Sequence, residues 1–256
     1  MIFNLMDNAG GGGKATVTYT GTHTTEGYTL GGKTYTLYKI TGSGTLSVKG
    51  RAKGASIWLC GGGANGGEPE GGAGAYCAEQ DGVTLKGDYV VTIGAAQGAT
   101  SFGTLLTTTA ASGCNGGTGG GEYGGTGDGK SKYPFIDTSA FDPHCAGGGS
   151  GGGEICQGME SDYNYYVWSI PVYKGGTNGG DSSKSGSSSS GGAGGNRGGG
   201  KGGYKASGSS ATFYGSGGGG GGVYYKADYG SIEGYQNIYC SGGSGYQGIV
   251  YVIIPA

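Results

Sequence analysis

The sequence predicts an all-β fold in which ordered glycine segments replace much of the side-chain core. Glycine accounts for 70 of the 256 residues, whereas its usual share is about 7%. Several short stretches combine β-branched and aromatic residues with a near period-two alternation between glycine-rich turns. No window of about twelve residues carries the apolar stripe of an amphipathic helix. We therefore expect an antiparallel sandwich or jelly-roll-like scaffold with little helix.

Seven stretches carry the strand pattern, each bounded by turn-forming residues. They are residues 33–48, 55–60, 83–85, 89–93, 101–107, 165–173 and 249–254. Several short strands with glycine-rich turns are typical of an antiparallel sandwich or barrel. We expect one compact unit built from these strands.

Long glycine tracts interrupt the predicted strands. They occupy residues 61–74, 113–129, 147–153, 175–203 and 215–222. Buried backbone groups must be hydrogen-bonded, and polyproline-II segments have no internal hydrogen bonds, so such tracts must pair with neighbouring segments. Glycine permits this close approach because it lacks a Cβ atom. The tracts alternate with islands of larger side chains, which we expect to be displayed as loops: residues 130–145, 154–174 and 223–240.

Composition excludes several functional classes. The formal net charge is −2, and only 12% of residues are charged. So small a charge does not favour a nucleic-acid partner or an anionic membrane. Collagen is excluded by the presence of only 5 prolines and by glycines that follow no three-residue repeat. The longest strongly apolar run, 249–254, is too short to span a bilayer, and the N-terminus lacks the basic region of a signal peptide.

Five stretches carry strand patterns and glycine tracts that follow one another in a particular order along the chain. They are Trp58-Leu-Cys-Gly-Gly-Gly-Ala-Asn-Gly-Gly, Gly71-Gly-Ala-Gly-Ala-Tyr-Cys-Ala-Glu79, Tyr89-Val-Val-Thr-Ile-Gly, Thr100-Ser-Phe-Gly103 and the closing Gly248-Ile-Val-Tyr-Val-Ile-Ile254. Together they resemble the glycine-rich domain found in bacteriophage tail and virion proteins, over residues 33–256. The start Met1-Ile-Phe-Asn-Leu, followed by the glycines of residues 10–13, is similar to the virion-attachment segments of some phage fibre proteins.

The resemblance implies a virion fibre or tail adhesin that is made in the host bacterial cytoplasm and binds a host-surface glycan or protein. Residues 1–14 would be the attachment segment and residues 15–256 the glycine-rich β domain. We expect Ile2, Phe3, Leu5 and Met6 to anchor the chain to other virion proteins, because free apolar termini are not held in place without a partner. Fibres of this kind use cyclic symmetry, so we expect a homo-oligomer, a trimer.

Two other functions fit parts of the pattern. A structural virion protein without a receptor, such as a head fibre or a capsid decoration subunit, would share both scaffold and anchor. An ice-binding protein would need a strict three-residue glycine repeat with threonine or alanine on one face, and the irregular islands do not favour it.

The 21 tyrosines suggest where a ligand would bind. Tyrosine supplies rigid amphipathic contact area, and glycine and serine let the surrounding loops adapt. We expect the receptor-binding residues in two of the islands: Tyr163, Tyr165, Tyr166 and Trp168 in one, and Tyr224 and Tyr225 in the other. Packing between strands is the alternative role of these aromatic side chains.

Catalytic and metal-binding patterns are weak, so we expect neither an enzyme nor a cofactor. Asp142, His144 and Cys145 lie together, but nothing specifies a group that would orient the histidine as a base. Glu68 and Glu70 sit in a glycine-rich stretch typical of a solvated loop. The six cysteines are widely spaced and form no zinc pattern. We expect neutral thiols that pack as small apolar groups.

Overall fold

The computed structural model describes residues 15–67, 71–111, 198–203, 206–227 and 235–256, together with short strands at 154–155, 183–185 and 188–190. For these three strands and for 223–227 and 235–238, only the course of the backbone is described. Strands and turns make up this part of the chain, which contains no helix. The predicted all-β class is therefore confirmed for the described residues. Within them there is accordingly no helix that could cross a bilayer.

The described residues form thirteen strands in two sheets. The strands are β1 (Thr16–Tyr19), β2 (His23–Leu30), β3 (Lys33–Ile40), β4 (Gly44–Cys60), β5 (Cys77–Thr92), β6 (Ser101–Phe102), β7 (Leu106–Thr107), β8 (Glu154–Ile155), β9 (Ser183–Ser185), β10 (Ser188–Ser190), β11 (Val223–Ala227), β12 (Tyr235–Tyr239) and β13 (Ile249–Pro255). The main sheet has eight strands in the order β2-β3-β13-β4-β5-β6-β7, with β1 paired to β4. All of its pairings are antiparallel. The second sheet has the order β12-β11-β8-β10-β9.

Strand β13 lies at the centre of the main sheet and is buried on both faces. Its register joins Val252 to Tyr38 of β3 and to Ile57 of β4. Successive side chains of a strand point to opposite faces, so Val250, Val252 and Ile254 enter one core while Ile249, Tyr251 and Ile253 enter the other. A continuous apolar run is what a doubly buried strand requires.

The hairpin of β4 and β5 is irregular in its middle. Register shifts separate Val48, Ala52, Ala55 and Ile57 from one another, and Gly50 has a φ of 89°. Such β-bulges bend a strand and increase its twist. The bent sheet brings Phe102 and Leu106 into the same core as these residues, so this face of the sheet packs largely on itself.

An aromatic corner attaches β1 and β2 to the sheet. The Tyr19 hydroxyl donates a hydrogen bond to the Gly42 carbonyl at 2.6 Å. The edge of its ring meets His23 at a centroid distance of 5.2 Å, and His23 stacks on Tyr38 at 6.2 Å. Burial raises the pKa of Tyr19 to about 12. The two N-terminal strands are thus fixed by ring contacts as well as by their ladders.

Most predicted strands are confirmed, and several prove longer. The stretches 45–48 and 55–60 belong to the single strand β4, and 83–85 and 89–93 belong to β5. Strands β1 and β2 were not predicted, because their threonines and glycines lie mostly exposed and show no apolar alternation. The predicted strand at 165–173 lies outside the described residues.

The other face of the sheet packs against a layer of glycine-rich backbone, which we call the glycine lattice. It comprises residues 61–67, 71–76, 198–203, 206–222 and 240–248. Ala64 and Ala75 of the lattice enter the second core beside Trp58, and Phe213 and Tyr214 pack against it. The lattice therefore takes the place of a second layer of side chains.

The centre of the lattice is the fully buried tract 215–222. Its backbone forms hydrogen bonds with five surrounding segments, and the partners recur every third residue. The donor to acceptor pairs are Gly218 to Ala64, Gly221 to Gly67, Gly219 to Ser209, Gly222 to Ala206, Gly200 to Gly217, Gly203 to Gly220, Ala75 to Gly215, Gly72 to Gly218, Tyr246 to Ser216, Gly243 to Gly219 and Cys240 to Gly222. Buried backbone groups are thus satisfied without regular strand ladders.

Side chains are excluded from this tract by the approach of neighbouring backbones. A Cβ atom added at Gly218 would overlap the carbonyl oxygen of Gly243, which cannot move without breaking its own segment's hydrogen bonds. Glycine is required here for space, because any side chain begins with that atom.

Candidate functional site

The predicted recognition residues fall largely outside what can be described. Tyr163, Tyr165, Tyr166 and Trp168 lie outside the described residues, as do the predicted anchor residues Ile2, Phe3, Leu5 and Met6. Tyr224 and Tyr225 lie on β11, where the backbone alone is described.

The second sheet joins two of the predicted islands. Val223 and Tyr224 of β11 pair in parallel with Glu154 and Ile155 of β8, and β11 also pairs antiparallel with β12. The island 154–174 therefore starts beside the island 223–240. Sequence patterns indicated both islands but gave no reason to place them side by side.

The described side chains include an aromatic group that the sequence did not single out. The Tyr214 ring meets Tyr246 edge to face at 5.5 Å and Phe213 at 5.5 Å. The Nζ atom of Lys39 lies 5.7 Å from the centroid of the Tyr214 ring, within the range of a cation–π contact. Burial and, to a smaller extent, the neighbouring Tyr246 raise the pKa of Tyr214. Tyr246 is 38% exposed, so part of this group is open to solvent.

Two exposed amide side chains, Asn65 and Gln97, belong to segments that are hydrogen-bonded to the backbone of residues 245 and 246. The Asn65 Nδ2 group donates to the Gln97 Oε1 atom at 2.7 Å, and the Gly245 backbone N–H donates to the Asn65 Oδ1 atom at 2.9 Å. Backbone bonds complete the connection, since Gln97 N–H donates to Gly63 C=O and Gly63 N–H donates to Tyr246 C=O, both at 2.9 Å. The two amides are therefore held in fixed orientations, and their segments are hydrogen-bonded to the backbone of residues 245 and 246.

Gln97 occupies an unfavourable backbone conformation. Its φ is 61°, and it is the one non-glycine residue with positive φ among the described residues. A non-glycine residue in this region costs free energy, and such positions cluster at functional sites. The tight turn at Gly94–Gly98, closed by the Gly98 N–H to Ala95 C=O bond at 2.8 Å, imposes the conformation.

We call Asn65, Gln97, Tyr214 and Tyr246 the amide–tyrosine site. A flat aromatic face with adjacent amide donors and acceptors suits a polyhydroxylated ligand such as a sugar, whose ring stacks while its hydroxyls form hydrogen bonds. The sequence did not reveal the site, because its members are dispersed over the chain and are brought together only by the glycine lattice. The positive φ of Gln97 has no sequence signal either.

No catalytic or metal centre emerges from the described side chains. They contain no group of three His, Cys, Asp or Glu residues suited to a metal ion. Glu68, Glu70, Asp142, His144 and Cys145 lie outside the described part of the chain.

The cysteines differ from one another. Cys60 carries a buried thiol whose pKa is raised by burial, as expected for a thiol that packs as an apolar group. Cys77, directly opposite it on β5, is disulfide-bonded. The expectation of neutral thiols is therefore wrong at Cys77. Cys240, at the edge of the lattice, is a free and partly exposed thiol.

Comparisons with known proteins give no relative. No protein-family model matches the chain, and no curated protein or solved structure matches it. The resemblance to glycine-rich phage domains stays a prediction that rests on the sequence motifs.

Proposed function

We propose that this chain is a virion fibre or tail adhesin that binds a glycan or protein on the host cell surface. The observation that carries the proposal is the combination of a packed glycine lattice with two islands that start side by side at β8 and β11. A scaffold of this kind fixes the ends of its loops, so less conformational entropy is lost when the loops bind a ligand.

The scaffold itself supports a finer description. Hydrogen-bond partners that recur every third residue match the three residues per turn of polyproline II, so we propose packed polyproline-II segments in the tract 215–222 and around it. With the main sheet on one side and this layer on the other, the arrangement is a variant of the predicted sandwich in which one layer is made of glycine segments.

The proposed binding surface combines the predicted aromatic residues with the amide–tyrosine site. Tyr163, Tyr165, Tyr166 and Trp168, with Tyr224 and Tyr225, would contact the ligand from the islands. The amide–tyrosine site would take a neutral sugar, since its exposed groups are a ring and two amides. Single sugar contacts are weak, and several copies on a particle would provide firm attachment. The trimer and the anchoring role of residues 1–14 belong to the same proposal.

Binding of the purified full chain to an array of bacterial surface glycans tests the proposal. We expect the parental protein to bind a subset of neutral glycans, and Trp168→Ser and Tyr246→Ser to weaken that binding by about tenfold, the loss expected for one well-packed aromatic contact. Tyr28→Ser is the matched control, because Tyr28, like Tyr214, is a partly buried tyrosine packed against the second core, and its hydroxyl donates to Glu26 on β2.

Two outcomes would contradict the proposal. Loss of binding in the control to the same degree would show a general effect on the fold. The chain could also be incorporated into particles while no aromatic substitution changes their adsorption to host cells. That result would favour the alternative role, a structural subunit such as a head fibre or decoration protein.

A further inference from the structure

The strongest charged feature of the described residues is a basic patch on the irregular hairpin of β4 and β5. It consists of Lys49, Arg51, Lys53 and Lys86, all of which are exposed. The first three occupy alternate positions of β4, where Val48 and Ala52 point into the core. The register pairs Val48 with Gly87 and Ala52 with Leu85, which places Lys86 across from the middle of this run. The patch therefore gathers four positive charges on the outer side of one hairpin.

These four charges are not neutralised by the rest of the described chain. None of them forms an ion pair with a residue that the structure describes. Of the acidic side chains described, Glu79 is buried, Asp81 is half-buried and Glu26 lies on β2, which leaves Asp88 as the exposed acid on the same hairpin. The sequence from residue 27 to residue 67 contains five cations and no acid. The small net charge of the whole chain thus hides a strongly basic region.

The spacing of the patch suits a linear ligand with repeated negative groups. The three cations of β4 follow one another along one exposed run of a single strand, so they form a row rather than a pocket. Hydroxyl side chains border the row: Thr16 pairs with Lys49, Thr18 pairs with Ser47, and Thr84 lies on β5. A single-stranded nucleic acid would be held by exposed aromatic rings on which its bases stack, whereas the residues that border the row are mainly the hydroxyl residues Thr16, Thr18 and Thr84.

We propose that the basic patch binds an anionic polyhydroxylated polymer, a cell-surface polymer that carries a carboxylate or a phosphate on each repeat. The inference rests on the proposed recognition function and adds a second surface with a different ligand class. Ammonium and guanidinium groups pair with the anionic groups, Arg51 in a bidentate manner, and the bordering threonines contact the hydroxyls. The polymer lies along β4.

Titration of the full chain with three polymers tests the inference: polygalacturonate as the carboxylate arm, polyglycerol phosphate as the phosphate arm, and neutral dextran as the blank. We expect one or both anionic polymers to bind, with an affinity that falls steeply as salt increases, because each neutralised group releases a counterion. Dextran does not bind at the patch. The arm that binds more tightly identifies the anionic group.

Substitutions locate the binding. K49Q/R51Q/K53Q should weaken it at least about tenfold and flatten the salt dependence. K33Q/K201Q removes exposed charges from β3 and from the glycine lattice instead and should change affinity less than about threefold. K49R/K53R keeps the charges and the arginine at position 51 and should bind as the parental protein does, which separates an effect on charge from an effect on folding.

Three results would overturn the inference: no binding of either anionic polymer, equal weakening by the two glutamine variants, or binding of single-stranded DNA as tight as that of both polymers. If the chain recognised neutral glycans but bound neither anionic polymer, only the proposal for the basic patch would be rejected. Retained polymer binding with no effect of Trp168→Ser and Tyr246→Ser would reject the neutral-glycan surface instead.

Discussion

The main sheet and the glycine lattice are packed by opposite means. In the sheet, large side chains such as Trp58, Phe102 and Ile253 fill the space between elements. In the lattice, the backbones themselves are in contact, and their hydrogen bonds recur every third residue. The sheet gains its stability from buried apolar area. The lattice gains its order from paired backbone groups, which would be costly to bury unpaired.

This difference predicts opposite sensitivities to a single methyl group. Removing a methyl from the sheet leaves a small cavity that neighbouring side chains partly fill. Adding a methyl to the lattice drives it into a carbonyl group that is itself hydrogen-bonded. The lattice should therefore tolerate addition far less than the sheet tolerates removal.

The largest effect is expected for Gly218→Ala. The added Cβ atom would overlap the Gly243 carbonyl, so two backbone segments must separate and lose their hydrogen bonds. We expect the free energy of unfolding to fall by about 4 kcal/mol or more, in the exceptional range for a single substitution. Urea unfolding followed by tyrosine and tryptophan fluorescence measures it.

Gly27→Ala is the matched control for this methyl. Gly27 lies on β2, and a Cβ atom there would meet nothing within 4 Å. The free energy of unfolding of the Gly27→Ala variant should stay within about 0.5 kcal/mol of the parental value. A similarly small change for Gly218→Ala would show that the lattice is loosely packed and would remove the contrast between the two regions.

A moderate effect is expected for Ile57→Val in the sheet. Ile57 is fully buried in the core next to Val252. Loss of one methyl should lower the free energy of unfolding by about 1 kcal/mol, as measured by the same urea titration. A loss as large as that of Gly218→Ala would mean that both regions respond alike.

The aromatic corner of the sheet should make stability depend on pH in the alkaline range. Tyr19→Phe removes the hydrogen bond to Gly42 and should cost about 1 kcal/mol at neutral pH. In the parental protein the pKa of Tyr19 is raised to about 12, so the folded state holds the proton more tightly than the unfolded chain does. This contribution is complete below about pH 10 and is lost as the pH rises toward 12.

Thermal unfolding at several pH values checks this prediction. The stability difference between Tyr19→Phe and the parental protein should be constant from pH 7 to about pH 9 and should shrink above pH 10. Tyr38 and Tyr214 also have raised pKa values, so both proteins keep an alkaline loss of stability. A difference that grows above pH 10 would contradict the assigned burial of Tyr19.

The smallest effect, with no change in stability, concerns the thiols of Cys60 and Cys240. Cys60 is buried and its pKa is raised, whereas Cys240 is partly exposed. Because the thiolate is the reactive form, iodoacetamide should label Cys240 in the native protein and spare Cys60. Mass spectrometry of the peptides measures the labelling at each cysteine. As a control, unfolding in guanidinium should make both thiols reactive. Native labelling of Cys60 at the rate of Cys240 would show that the end of β4 opens.

Sequence patterns predicted the parts of the fold that depend on local alternation. The apolar run at 249–254 predicted a strand, and β13 is that strand, although its central place between β3 and β4 had no sequence signal. The sequence predicted two strands where the structure has the single strand β4, because Gly50 and Gly54 interrupt the alternation. The strand continues through β-bulges at those glycines. Local patterns cannot distinguish a turn glycine from a bulge glycine.

The candidate sites were harder to predict, because they depend on contacts between distant parts of the chain. Asn65 and Gly245 are joined by a hydrogen bond although 180 positions separate them. The basic run of β4 was visible in the sequence, but the small net charge concealed it. Aromatic clustering along the chain directed attention to Tyr163, Tyr165, Tyr166 and Trp168 and away from Tyr214 and Tyr246, which meet only in the folded protein.

The position of β13 and of the tract 215–222 has a consequence for biosynthesis. Both are innermost elements, yet both come late in the chain: β13 pairs with β3 and β4, and the tract 215–222 is surrounded by segments that include 64–67 and 71–75. During vectorial synthesis, the early strands must wait for partners that emerge some 150 residues or more later. Contacts of such high sequence separation slow folding and leave strand edges open to wrong pairing. The local hairpins of β2 with β3 and of β4 with β5 can form early, but the main sheet and the lattice close only after β13 and the tract 215–222 have been synthesised.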